Sequence, residues 1–135
     1  MIKRLTDVSL PTKAHPNDAG LDLRAPETIT IKPGEARKIA TGICLKIPKG
    51  YYGKIFDRSS NAIRKLMVVA GVIDAEFVGE LSVILLNMNI SDIIINKEDK
   101  FCQIVIMRVE NLNLCETNEL ENTLRNDRCF GSSGV

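Results

Sequence analysis

The 135-residue chain has no tryptophan and a single histidine; two tyrosines and four phenylalanines are its only aromatics, and it is almost without net charge. Each shortage excludes something. With 18 Lys and Arg against 17 Asp and Glu, it has no global basic field to recruit nucleic acid or acidic lipid, so any anion site must be local. The one imidazole, His15, lies between Ala14 and Pro16 in a polar stretch, which argues against a Ser-His-Asp or Cys-His engine. Cys44, Cys102, Cys115 and Cys129 have no CxxC spacing, so reduced thiols are expected rather than a zinc site or a disulfide framework. No run approaches the roughly 20 apolar residues that cross a bilayer, and the polar sequence after Leu5 gives no signal-peptide core. An intracellular, soluble protein with no membrane contact and no direct nucleic-acid contact is expected.

What the chain does have is β-branched residues, with sixteen isoleucines and nine valines, and five prolines that all fall before residue 50. That composition favours pleated, half-buried strands. Ile39, Thr41, Ile43, Leu45 and Ile47 alternate with Lys38, Ala40, Gly42, Cys44 and Lys46, which predicts a strand with one buried face. Residues 81–88 and 101–109 are apolar on both faces and read as central strands, and shorter strands are expected over 21–24, 28–31, 52–56, 68–69, 72–73 and 93–95. Only residues 60–66 read as helical, with Ser59 or Ser60 as the cap and Ala62, Ile63 and Leu66 on the inner side. Many short strands at close spacing predict a compact all-β antiparallel sandwich or barrel, formed as a single domain over 1–135. Beyond about residue 110 the pattern breaks, and 111–135 is polar, Asn-rich and ends near a Gly/Ser run.

Four segments concentrate residues that could carry chemistry. Asp18 and Asp22 flank Gly20 and could hold a hard cation through oxygen or through its waters, or form an ordinary acidic turn. Asp57-Arg58-Ser59-Ser60-Asn61-Ala62 joins an arginine fork to two hydroxyls and a helix start, which reads either as a phosphate cradle or as a capped helix. In Gly71-Val72-Ile73-Asp74-Ala75-Glu76-Phe77-Val78-Gly79-Glu80, a carboxylate after an apolar pair could take a proton from water or hold a sugar hydroxyl. A β-hairpin with an acidic turn is the competing reading. The tail Arg125-Asn126-Asp127-Arg128-Cys129-Phe130-Gly131-Ser132-Ser133-Gly134 offers two cations, a stacking ring and small donors, or a disordered end.

Taken in order, segments 18–25, 57–62, 71–80, 97–103 and 125–134 resemble the five motifs of the trimeric dUTPase family, AGxDLxA, PRSxxA, GVIDxxYxGE, GDRxAQ and RGxGGFGSTG. The resemblance spans nearly the whole chain. It implies a jelly-roll-like subunit with one short helix and a flexible C-terminal arm over 111–135, assembled as a homotrimer with shared active sites that hydrolyse dUTP to dUMP and pyrophosphate. It further implies that Asp74 activates the attacking water and that Phe77 packs under the deoxyribose. The backbone of Gly71, Val72 and Ile73 would read the uracil edge, while Arg58, Ser59, Ser60 and Gln103 would hold phosphate oxygens. Asp22 would hold hydrated Mg2+ through water. Phe130 would stack on uracil, and Arg125, Gly131, Ser132 and Ser133 would grip the outer phosphates.

The departures from the family pattern are Phe77 for Tyr, Asp57 for Pro, Asn61 for Leu, Glu98 for the turn glycine, and Asn126, Arg128 and Cys129 for lid glycines. Two rivals follow from what is shared. A dCTP deaminase would place an arginine and a catalytic glutamate where this chain has Ile63 and Ile84, and an apolar pair moves no protons. A trimeric nucleotide-binding protein with weak turnover is motivated by the altered lid and opposed by the intact Asp22, Arg58, Asp74 and Gln103.

Overall fold

The computed structural model describes residues 1–129; Phe130, Gly131, Ser132 and Ser133 of the fifth motif lie outside them. Ten strands and one short helix follow in the order β1 (Ile2–Arg4), β2 (Gly20–Arg24), β3 (Ile29–Ile31), β4 (Ala36–Leu45), β5 (Tyr51–Phe56), α1 (Ser59–Ile63), β6 (Leu66–Ala70), β7 (Val72–Ile73), β8 (Glu80–Asn87), β9 (Ile93–Ile95) and β10 (Lys100–Arg108). They form one sheet in the order β1-β4-β8-β6, a second in the order β2-β10-β5-β7, and a small β3-β9 pair. Every strand pair is antiparallel. The architecture is the all-β antiparallel sandwich that the composition predicts.

Alternation fixes which faces meet. Leu81, Val83, Leu85 and Asn87 are the buried positions of β8, and Ile39, Thr41 and Ile43 those of β4. They pack with Leu23, Ile31, Ile55, Leu66, Phe101 and Ile104 into one core. Burying a side chain of this size contributes about 1.5–3 kcal/mol, so the core outweighs any surface ion pair. The β4 alternation is broken at Gly42, whose φ of +72° accompanies a register shift between Ala40 and Cys44. Three side-chain bonds hold this bulge. Thr41 Oγ1 donates to Leu81 O at 2.9 Å and accepts from Ile43 N at 3.2 Å, while Glu80 accepts from Gly42 N at 2.7 Å. The glutamate that closes the third motif thus secures a neighbouring strand.

The helix differs from its sequence reading. It spans Ser59–Ile63, Arg58 is its N-cap residue and no side chain caps it. Ala62 and Ile63 face solvent; the buried helical residue is Asn61, whose amide donates to Phe101 O at 2.8 Å. Leu66 is buried in β6, because Lys65 takes a left-handed φ of 58° and turns the chain out of the helix first. From Val109 to Cys129 the chain has neither strand nor helix and its side chains are exposed. No helix among the described residues is long and apolar enough to cross a membrane.

Candidate functional site

The first, second and fourth motif segments converge on one cleft of about 470 Å3. β2 supplies Gly20 and Asp22, the start of α1 supplies Arg58, Ser59 and Ser60, and β10 supplies Gln103. Asp22 and Gln103 are register partners across β2 and β10, so both side chains leave the sheet on the same face. Gln103 Nε2 donates to Asp57 O at 2.9 Å and lies over Gly20, where any Cβ would overlap its amide. Glycine here lets the Gln103 amide lie against the backbone, and a side chain would have to displace it.

Asp22, 8% exposed, is the electrostatic centre. Arg58 Nε lies 3.0 Å from one of its oxygens and Lys100 Nζ 2.7 Å from the other. Arg58 Nη1 also donates to Lys100 O at 3.2 Å, which fixes the guanidinium at the lip of the cleft. Two cations offset the desolvation of one nearly buried carboxylate; removing either would leave a poorly compensated charge.

Strict alternation hides Lys100 from sequence reading. Three residues before Gln103, it should point to the opposite face, yet Lys100 pairs with Arg24 and Cys102 with Leu23, leaving Phe101 as an extra residue. The bulge resets the phase: Phe101 and Cys102 are both buried, and Lys100 returns to the face of Asp22. Burial pushes the Cys102 thiol pKa up, as do the nearby Asp57 and Asp22 carboxylates, so the thiol stays protonated. Cys44, Cys102, Cys115 and Cys129 are all free thiols, as expected.

The departures from the family pattern have local explanations. Glu98, at the missing turn glycine, keeps a left-handed φ of 68°. Its strain is offset by the Ser9 N–H donated to its carboxylate at 3.0 Å and by Arg24 Nη1 donated to its carbonyl at 2.7 Å. Asp57, in place of proline, accepts the Val68 N–H and ties β6 to the second motif. Asn126, at a lid glycine, also keeps a left-handed φ of 47°, which asparagine tolerates better than most residues. It exchanges hydrogen bonds with Thr123 at 2.7 and 2.9 Å. Arg125 sits in the same exposed turn, with Arg128 N donating to Arg125 O at 3.1 Å.

The third segment stands apart from the cleft. β7 pairs with β5 and β8 pairs with β4 and β6, so Asp74 and Phe77 lie on a crossover between the two large sheets, not at the tip of a hairpin. Asp74 is exposed, Phe77 is 44% exposed and its ring lies over Gly79. The N–H groups of Val72 and Ile73 belong to an edge strand. Asp74 and Arg58 are therefore not in a common cleft of this chain.

Among the described residues no group of three or more His, Cys, Asp or Glu side chains could grasp a metal ion directly. Asp18 and Asp22 do line the cleft with hard oxygen donors. Asp18 accepts the His15 N–H at 2.8 Å and Asp22 is held by its two cations, so the residues present fit an ion that keeps its waters.

One cleft of this nearly all-β chain thus gathers an arginine, two serines, a glutamine and a carboxylate. The family model for dUTPase matches residues 6–134. The chain is 37% identical over 132 residues to the deoxyuridine 5'-triphosphate nucleotidohydrolase of Corynebacterium glutamicum, covering 95% of this chain and 89% of that one. It superimposes with a TM-score of 0.93 and 27% identity on a point mutant of the Staphylococcus bacteriophage 80alpha dUTPase with dUpNHpp, covering 100% of this chain and 98% of that one. A mutant dUTPase from phage phi11 of S. aureus, described with a structural Mg(II) ion, gives 0.84 and 26%, over 90% and 98%. The chain belongs to the dUTPase family.

Proposed function

We propose that this protein hydrolyses dUTP to dUMP and pyrophosphate as a homotrimer with shared active sites. The observation that carries the reading is the single cleft that gathers Arg58, Ser59, Ser60, Gln103 and Asp22 in a chain of this family. Arg58, fixed by Asp22, presents its free guanidinium edge to phosphate oxygens, and Ser59, Ser60 and Gln103 add neutral donors. Asp22 would hold hydrated Mg2+ through water, and the ion would supply charge neutralisation for the triphosphate. Asp74 orients the attacking water and takes its proton as the water adds in line to the α-phosphorus; pyrophosphate leaves, and no covalent intermediate forms. Phe77 packs under the deoxyribose, and the backbone of Gly71, Val72 and Ile73 reads the uracil edge.

The exposure of Asp74 and Phe77 away from the cleft supports sharing between subunits. So does the outer face of the second sheet, where Tyr52, Phe56, Val105 and Met107 on β5 and β10 surround Lys54. Phe130 stacks on uracil from the arm of a further subunit, with Arg125, Gly131, Ser132 and Ser133 on the outer phosphates; lid closure excludes water. Pyrophosphate release from dUTP with magnesium tests the reading. Turnover of dUTP well above dCTP is expected; no turnover, or equal turnover of the two, overturns it.

A further inference from the structure

Isolated helices shorter than about 12–15 residues are marginal in water, so a helix of five residues depends on what surrounds it. α1 has no side-chain cap, and Asn61 is its one buried residue; Ser59, Ser60, Ala62 and Ile63 are exposed. Neither a cap nor an apolar face therefore fixes the direction in which Ser59 and Ser60 point. The Arg58 side chain does reach Asp22 and Lys100, but it is itself one of the groups that must be placed.

Two polar side chains supply the missing anchors, one on each side of Arg58-Ser59-Ser60. Asp57 follows β5 directly and is bonded twice. Its carboxylate accepts the Val68 N–H of β6, the edge strand of the other large sheet, and its carbonyl accepts Gln103 Nε2 of β10 at 2.9 Å. Asn61, 7% exposed, donates its side-chain amide to Phe101 O at 2.8 Å, at the extra residue of the β10 bulge. Between the two anchors the backbone closes on itself, with Arg58 O accepting Asn61 N at 2.8 Å and Ala62 N at 3.0 Å. Both anchors are departures from the family pattern. A proline at 57 has no carboxylate and a leucine at 61 has no donor, so these two bonds belong to this chain's own sequence.

We propose that Asp57 and Asn61 are positioning residues for dUTP hydrolysis. They form a two-point polar clamp that sets the direction of Arg58, Ser59 and Ser60 and, through the Asp57 carbonyl, of Gln103. The use of the clamp in catalysis rests on the dUTP reading; the clamp itself does not.

The test is residue-resolved amide hydrogen exchange on the full-length wild type, Asp57→Ala, Asp57→Asn and Asn61→Ala, with dUTP kinetics measured on the same four proteins. Loss of one anchoring bond predicts exchange of the residue 61 and Ala62 amides about tenfold faster in both alanine variants, while the Leu81, Val83 and Leu85 amides of β8 keep their rates. Asp57→Asn retains an oxygen that accepts the Val68 N–H, so its exchange should stay within about threefold of wild type. Because Asp74 is untouched, the kinetic loss should fall mainly on KM, about tenfold in the alanine variants, and Asp57→Asn should recover most of it. Asp57 is only half-buried, so its two variants decide the matter even if Asn61→Ala misfolds. Unchanged helix exchange in Asp57→Ala, equal acceleration throughout β8, or exchange in Asp57→Asn as fast as in Asp57→Ala overturns the clamp. Faster helix exchange with dUTP kinetics unchanged overturns the positioning role. A wild type that does not hydrolyse dUTP overturns the hydrolase reading, and the exchange rates still decide the clamp.

Discussion

Gly20 shows how a residue without a side chain shapes the chemistry of its neighbours. A methyl group there would overlap the Gln103 amide, so Gly20→Ala should push Gln103 off Asp57 O and lower kcat/KM for dUTP by about tenfold, at a stability cost of about 1–3 kcal/mol. Steady-state kinetics beside thermal melts separates the two effects. Asp74→Asn should remove most of kcat while leaving dUTP affinity within about threefold, since the amide keeps the shape and loses the base. Glu98 gives a pH signature. Its carboxyl is held below the ordinary glutamate range by hydrogen bonds from the Ser9 side chain and backbone, then by Arg24 and Lys97. Its stabilisation is therefore complete above the unfolded glutamate pKa and is lost as the pH falls through the depressed folded value. Melting temperature on that acid limb should fall less steeply in Glu98→Gln than in the wild type.

At the scale of elements, legibility followed periodicity. β4, β8 and β10 were readable because their alternation or unbroken apolar runs match a pleated strand, although β4 begins at Ala36 rather than Ile39. The end of α1 is not legible because five residues hold too little pattern to separate a helix from the strand that follows, and Leu66, which the helical spacing puts on its inner face, belongs to β6. Lys100 was missed for a related reason: one extra residue in β10 inverts the face of everything before it, and a period-two reading carries no mark of the inversion. Asn61 and Asn87, polar by composition, are core residues by hydrogen bonding. Asn87 Nδ2 donates to Ile31 O at 2.8 Å and Ser91 O at 2.9 Å, and its Oδ1 accepts Asn89 N at 2.8 Å. Asn87→Ala strands buried carbonyls and should cost about 2–3 kcal/mol in urea denaturation.

For the whole molecule, the question is how separate groups become one site. Arg58 lies in the cleft and Asp74 on the crossover between sheets, so the chain carries both groups without bringing them into one cleft. Mixed trimers of Arg58→Gln and Asp74→Asn subunits should regain measurable dUTP turnover although each homotrimer has little; mixtures as inactive as their parents would show that each site lies within one subunit. Val105→Glu on the outer sheet face should yield a smaller species in sedimentation. Deleting residues 125–135 should abolish turnover and leave the sedimentation of the assembly unchanged.

The extra residue at Phe101 also sets a rule for altering this protein. It takes up a one-residue mismatch in length between β10 and β2, so the charges of the cleft depend on the pairing of the two strands. Deleting Phe101 would leave Lys100, Cys102 and Gln103 opposite Arg24, Leu23 and Asp22 one to one, so the lysine would stay on the face of Asp22 and the loss would fall on the core that the ring fills. What an engineer of this cleft must hold fixed is therefore the pairing of Lys100 with Arg24, not the number of residues between Lys100 and Cys102.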